Sequence, residues 1–176
     1  MATFGNLVHR VLSFTYRNFD EKVPTAGPLG DLEQELLRSA REAMESVDRD
    51  LHDCHFKAAI GGAFSLAQPV NRYLDARAPW HSIKTDRAAA AATLHTAITV
   101  INCLKMLLYP FLPFSAQRLH EFLGLDGTVE KQSWDFDTLI EEIEPGNPLR
   151  HPSPLYTKLD PQVVDDEVQR LGASVA

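Results

Sequence analysis

Residues 93–114 read TLHTAITVINCLKMLLYPFLPF, and no rotation of this stretch about a helix axis yields a polar face. A helix that is apolar on every side must be covered on every side, by other helices or by lipid. His95, Thr96, Thr99, Asn102 and Lys105 interrupt the run, and a lipid-facing span would have to strip water from all of them. The stretch therefore predicts the core helix of a bundle rather than a membrane span. Pro110 and Pro113 end it, because neither can donate a backbone hydrogen bond. With 176 residues, 44% of them hydrophobic, the chain has enough apolar material for one globular domain over residues 1–176.

Other stretches supply the cover. From about Phe4 to Phe19, the residues Leu7, Val8, Val11, Leu12, Thr15 and Phe19 recur at spacings of three and four, the period of one helix face. VPTAGPLGD breaks that helix, and Asp31 is placed to cap a second one. Leu32, Leu36, Ala40, Ala43, Val47 and Leu51 form its apolar face, and the charged residues between them form a solvated one. A third helix is expected over about 56–77, with Phe56, Ile60, Ala63, Phe64, Ala67, Val70 and Leu74 inward and a kink at Pro69. The core helix starts after KTD, and a short fifth helix, SAQRLHEFLGL, ends near Gly124. The expectation is an all-α bundle of about five main helices. Its core covers about 4–125, and a tail over about 126–172 folds back across it, extended and proline-rich before a last short helix around Val164–Leu171.

Charge and chemistry narrow the function. A net charge of −7 argues against a protein that grips nucleic acid mainly through its phosphates. The charge is uneven: residues 126–144 hold seven acids against Lys131, whereas Arg72, Arg77, Lys84 and Arg87 outnumber Asp75 and Asp86 within 71–87. Two cysteines, Cys54 and Cys103, make no disulfide framework and fit a reducing compartment. HDCH at 52–55 offers His52, Cys54 and His55 as metal ligands, but no second Cys/His pair completes a zinc site. No nucleophile elbow or phosphate-cradling glycine loop is present, and GGAF at 61–64 reads as close helix packing. No catalytic or metal residue is therefore assigned.

Two pairs stand out. Asn6 and Arg10 are four apart, hence on one helix face. Arginine can fork two hydrogen bonds and asparagine can both donate and accept, so the pair is either an ordinary exposed one or a reader of base edges. Pro79 should hold Ala78 extended, end the third helix and present Trp80 on a rigid loop. Such a tryptophan is either a core anchor or a platform on which a base stacks.

These segments resemble a family. GNLVHRVLSFTYRNFDEKVP, NRYLDARAPWHSIK with its Asn–x–Tyr and Pro–Trp pattern, LLYPFLPFSAQRLHEFLGL, KQSWDF and PLYTKLD occur in the order found in the anticodon-binding domain of methionyl-tRNA synthetases. The resemblance implies a helical bundle that reads the CAU anticodon of methionine tRNA, with Asn6, Arg10 and Trp80 at the bases and Pro79 shaping the loop. The cysteine usage points to a cytoplasmic setting, the polar residues of the core helix argue against a membrane partner, and a monomer is the default expectation. HIGH and KMSKS, the family's ATP-binding signatures, are absent. The chain is thus expected to be non-catalytic and to bind no cofactor, with ATP and zinc belonging to a catalytic domain of the same synthetase. GNPLRH departs from the family's glycine–histidine spacing and leaves the packing of the tail open. The competing reading is a free-standing helical adaptor that binds protein partners through its acidic 126–144 segment. A metal-dependent hydrolase built on HDCH is a third, remote reading.

Overall fold

The computed structural model describes residues 2–157 and 160–173. It contains α1 (Ala2–Asn18), α2 (Asp31–His52), α3 (Phe56–Ser65), α4 (Ala67–Arg77), α5 (Pro79–Ser82), α6 (Arg87–Leu108), α7 (Pro113–Phe122), α8 (Phe136–Glu141) and α9 (Pro161–Ala173). Among the described residues the β pairing is one isolated antiparallel bridge between Lys22 and Pro148. Lys158 and Leu159 of the expected tail lie outside the described residues.

The Asp86 carboxylate accepts the Ala89 N–H at 2.9 Å and starts α6, as the KTD stretch implies. Every residue from Ala90 to Leu108 is buried or half-buried. By length and composition α6 could cross a membrane, yet 89% of its most apolar window lies inside the protein. Leu94, Ile98, Ile101, Leu104 and Leu107 are completely enclosed, and each such side chain contributes about 1.5–3 kcal/mol of burial energy. The apolar face of α1 (Leu7, Val8, Val11, Leu12) covers one side of the core, and Leu36, Ala40, Met44 and Val47 of α2 cover another.

The expected third helix is two. Leu66 separates α3 from α4, and Pro69 sits at the third position of α4. N–H groups of a first turn have no partner within the helix, so the missing proline donor costs nothing there. Phe56, expected inward, opens α3 at 57% exposure. At the start of α2 the burial phase differs by one residue: Leu32 is 44% exposed, and Glu33 is 5% exposed in its place. Gly30, not Asp31, is the residue before the first helical turn. The Glu33 carboxylate reaches back to accept its N–H at 3.1 Å, the return half of a capping box.

Glu33 also ties α2 to α4. It accepts the Tyr73 hydroxyl at 2.8 Å and two guanidinium N–H groups of Arg77 at 2.9 and 2.7 Å. Burial by itself raises the Glu33 carboxyl, but the hydrogen bonds from Arg77 and Tyr73 outweigh it and hold the group below its ordinary value. Burial and then donation to Glu33 push the Tyr73 hydroxyl up to about 12.

The tail folds back, with one more helix than expected. Its apolar residues Val129, Phe136, Leu139 and Ile143 join the core. Polar groups of α6 pin it from beneath: the Asn102 amide donates to the Leu139 carbonyl at 2.8 Å and to Glu142 at 3.0 Å. Lys105, fully enclosed, donates to Gln132 and lies 3.2 Å from His120 Nδ1. His120 Nε2 faces the Asp126 carbonyl at 3.1 Å. It therefore carries the proton there, and Nδ1 is left to accept from Lys105. Burial pushes the Lys105 ammonium down to about 8 against the opposing pull of Glu142. The chain turns at Gly124, whose φ is +71° and whose absent Cβ would sit 1.8 Å from the Pro148 carbonyl oxygen. From there the tail pairs with the loop after α1: Val23 donates to the Asn147 carbonyl at 2.8 Å and Leu149 to Glu21 at 2.7 Å.

Glu33→Ala leaves Arg77 and the Tyr73 hydroxyl without their acceptor and should lose about 2–4 kcal/mol in chemical denaturation. In Glu33→Gln the same comparison becomes pH-dependent. A carboxyl held low in the fold stabilises above its unfolded value near 4.5 and loses that contribution as pH falls through the native value. The deficit of Glu33→Gln relative to the parent should therefore shrink in acid; a constant deficit contradicts the pairing. Lys105 has the opposite arithmetic. Between its native value of about 8 and the ordinary 10.5, the unfolded chain binds more protons than the folded one. Stability of the parent relative to Lys105→Met should rise by up to about 3 kcal/mol across that window, and a flat difference contradicts a charged, buried Lys105.

Candidate nucleic-acid interface

Burying Leu7, Val8, Val11 and Leu12 turns the opposite face of α1 to solvent, and both Asn6 and Arg10 are exposed on it. The Arg10 guanidinium donates to Asn71 Oδ1 at 2.8 Å and lies over the Trp80 ring, 4.7 Å from its centroid. Asn71 cannot turn away freely, because its Nδ2 donates to the Ala67 carbonyl at 2.9 Å. Asn71 and Tyr73 stand two apart on α4, so they leave the helix on different sides. One fixes Arg10 and the other binds Glu33. Asn71 is not among the residues selected from the sequence; the Asn–x–Tyr spacing was its signal.

The Pro–Trp segment is not the extended loop expected. Ala78 has φ 41° and ψ 58°, the left-handed region, and Pro79–Ser82 is a helical turn. Ala78 belongs to two helix ends at once: its N–H donates to Leu74 at 2.8 Å, and its carbonyl accepts from His81 at 2.9 Å and Ser82 at 3.1 Å. Those three bonds hold a conformation that costs an alanine about 1–2 kcal/mol. Pro79 opens the turn, where its missing donor is harmless, and is itself buried. Trp80 is half-buried, with its ring edge-on to Phe14 at a centroid separation of 6.5 Å. It is neither enclosed in the core nor projecting from a loop.

Arg10 and Trp80 therefore meet directly. Asn6 lies one turn back along α1, about 6 Å from Arg10 along the axis, at a cleft of about 450 Å³ whose lining includes Gly5, His9, Pro154, Tyr156 and Thr157. Pro79 supports the site from below without facing it. The local excess of basic residues is smaller than the sequence count, since Arg77 is neutralised by Glu33 at 2.7 Å. Arg87 lies over the Phe19 ring at 4.6 Å and donates to the Asn18 carbonyl. Away from this face, His52 Nδ1 bonds the Asp48 carbonyl at 2.9 Å. Among the described residues no three His, Cys, Asp or Glu side chains gather as metal ligands.

An indole, a guanidinium plane and a carboxamide on one exposed face offer π surface, several N–H donors and one carbonyl acceptor. That inventory suits an unstacked nucleobase held on an aromatic face and read along its polar edge.

The chain is similar to known proteins over most of its length. A family model described as the anticodon binding domain of methionyl tRNA ligase matches residues 23–175. The methionine–tRNA ligase of Roseiflexus sp. (strain RS-1) is 38% identical over 197 residues, covering 99% of this chain and 33% of that protein. That of Dehalococcoides mccartyi (strain ATCC BAA-2266 / KCTC 15142 / 195) is 42% identical over 172 residues, covering 98% and 30%. The chain thus spans about a third of the length of the curated relatives it matches. Among solved structures, the apo form of Mycobacterium tuberculosis methionyl-tRNA synthetase shares the fold at TM-score 0.81 and 24% identity, over 90% of this chain and 32% of that one. The same organism's enzyme in complex with methionyl-adenylate aligns at TM-score 0.76 and 27% identity, over 89% and 31%. The relatives' near-complete coverage of this chain takes in α1 and its two polar residues, which precede the family model's match. The chain belongs to the family of methionyl-tRNA ligase anticodon-binding domains.

Proposed function

We propose that this chain reads the CAU anticodon of methionine tRNA on behalf of a methionine–tRNA ligase. The observation that carries the reading is the Arg10 guanidinium lying 4.7 Å over Trp80 on an exposed face, with Asn6 exposed on the same helix. A base splayed out of the anticodon loop stacks against the Trp80–Arg10 pair, and the Asn6 amide and free guanidinium N–H groups bond to base edges. Because the contact is local, a net charge of −7 is no obstacle. Correct pairing at this end places the acceptor end of the tRNA on the catalytic domain of the same synthetase. Activation of methionine by ATP, and any zinc, belongs to that domain. The chain works in the cytoplasm as part of a monomer.

The adaptor reading has less support. Phe136, Leu139 and Ile143 of the acidic segment are buried. Glu142 accepts bonds from Asn102 and Gln132, and Asp137 pairs with Arg41. Much of that segment is engaged within the chain rather than offered to a partner.

Binding to a CAU anticodon stem-loop should weaken by about 1–3 kcal/mol in Trp80→Ala, with the helical circular dichroism spectrum unchanged. A stem-loop with one anticodon base altered should bind more weakly to the parent protein. Equal affinity for both RNAs sinks the anticodon reading, and loss of the fold in Trp80→Ala makes Trp80 a core anchor instead.

A further inference from the structure

Between Ala90 and Leu108 the cover of α6 is incomplete at two residues, Ala92 and His95, both half-buried. The loop after α1 lies over the first. A Cβ on Gly27 would come within 2.4 Å of the Ala92 Cβ, so the glycine lets the loop rest directly on the helix. Over the second, a cavity of about 320 Å³ stays open between that loop, α2, α6 and α8. Its size falls at the lower end of small-ligand pockets, roughly 300–1,000 Å³. Ala26 and Leu29 of the loop, Leu37 of α2 and Ile140 of α8 make its walls apolar.

The polar side chains that line the cavity are all left as acceptors. Thr96 and Thr99 donate their hydroxyl protons to the Ala92 and His95 carbonyls at 3.1 and 3.0 Å, so toward a guest their oxygens only accept. His95 Nε2 lies 3.1 Å from the Ile143 carbonyl. A carbonyl only accepts, so Nε2 carries the ring proton and Nδ1 is a bare acceptor. Burial holds the imidazole below its ordinary value and keeps this neutral form at neutral pH. Glu141 lines the cavity as well and is exposed, which places a carboxylate at its rim. Among the described residues that line the cavity, no side chain is cationic and none has a donor left over. The surrounding charge has the same sign: α8 belongs to the segment 126–144, which holds seven acids against Lys131. An apolar space that offers acceptors alone selects a guest that brings apolar surface and donors together, and the negative field favours donors that are charged.

We propose that the cavity between the 25–29 loop, α2, α6 and α8 is a binding site for a small apolar amine, an aromatic or branched aliphatic body that carries one ammonium group. The body fills the space between Leu29, Leu37 and Ile140. The ammonium lies at the polar end and donates to Glu141 and His95 Nδ1. A carboxylate of the same shape is refused, because it brings no donor and meets Glu141. None of these residues takes part in the Arg10–Trp80 contact, so the site stands or falls independently of the anticodon reading.

Three ligands built on one phenyl ring separate the contributions: phenethylamine, phenethyl alcohol and hydrocinnamate. Each is titrated into the whole isotope-labelled chain and followed through the His95 ring and the Thr96 and Thr99 methyl signals. Phenethylamine should shift those signals saturably, with Kd on the order of 1 mM. It should bind about tenfold more tightly than hydrocinnamate, with the alcohol between them. In Glu141→Gln the margin over hydrocinnamate should fall to about threefold or less. Glu141 is exposed, so this variant should keep the parent's circular dichroism spectrum. Equal affinity for all three ligands leaves an apolar hole without the proposed chemistry and overturns the proposal. A phenethylamine response that spares His95, Thr96 and Thr99, or no response at all, overturns it too. A margin unchanged in Glu141→Gln removes Glu141 from the site and with it the preference for a charged amine.

Discussion

One helix without a solvent face organises this molecule. From Ala90 to Leu108, α6 has no exposed residue and only Ala92 and His95 are half-buried, so α1, α2, α4 and the tail must each present an apolar stripe to it. Two polar groups in its interior decide which part of the chain closes the last side. Asn102 and Lys105 are both fully buried and would be costly to leave unpaired. Their partners are the Leu139 carbonyl, Gln132, Glu142 and His120. Covering α6 thus fixes the path of residues 126–144, and that path delivers the following segment to the side of α1. The acidic stretch serves the fold first.

The proposed recognition face is assembled at one remove from the core. Glu33 joins the first turn of α2 to Tyr73 and Arg77 at the end of α4. The next residue is Ala78, whose left-handed conformation sends the chain into Pro79 and Trp80. Immobilising Arg77 therefore sets the starting point of the turn that carries the indole. On the facing helix, Asn71 and the Trp80 ring together hold Arg10. A cation over an aromatic ring at an exposed site is worth only about 0.5–1 kcal/mol, yet here it holds two long side chains in the geometry a base would meet. Little ordering remains to be done on binding, which is where flexible sites lose affinity.

Helical period and proline placement were enough to read most of this from residues alone. Leu7, Val11, Leu36, Val70 and the whole of α6 lie where their spacing puts them. The misses share a cause: they depend on contacts distant in sequence. Leu32 and Glu33 exchange roles because Arg77 and Tyr73, forty and more residues away, make a carboxylate tolerable inside, which no local pattern encodes. Phe56 fits the periodicity of its helix but occupies its first turn, beyond the reach of the core. Ala78 follows the rule for a residue before proline only until its neighbours supply three backbone bonds to a strained alternative. Asn6 with Arg10 and Pro79 with Trp80 stood out by helix spacing and by the Pro–Trp step, and the resemblance alone assigned them to the bases. Asn71 needed the structure, since its amide matters only through the position of Arg10.

The most direct test follows individual nuclei as a CAU anticodon stem-loop is titrated into the isotope-labelled chain. The expected result is early displacement of the Trp80 indole N–H and the Arg10 Nε–H signals, together with backbone amides around Asn6, while amides of 126–144 hold still. Displacements confined to 126–144, with Trp80 and Arg10 unmoved, would contradict the account and hand that role to the acidic surface.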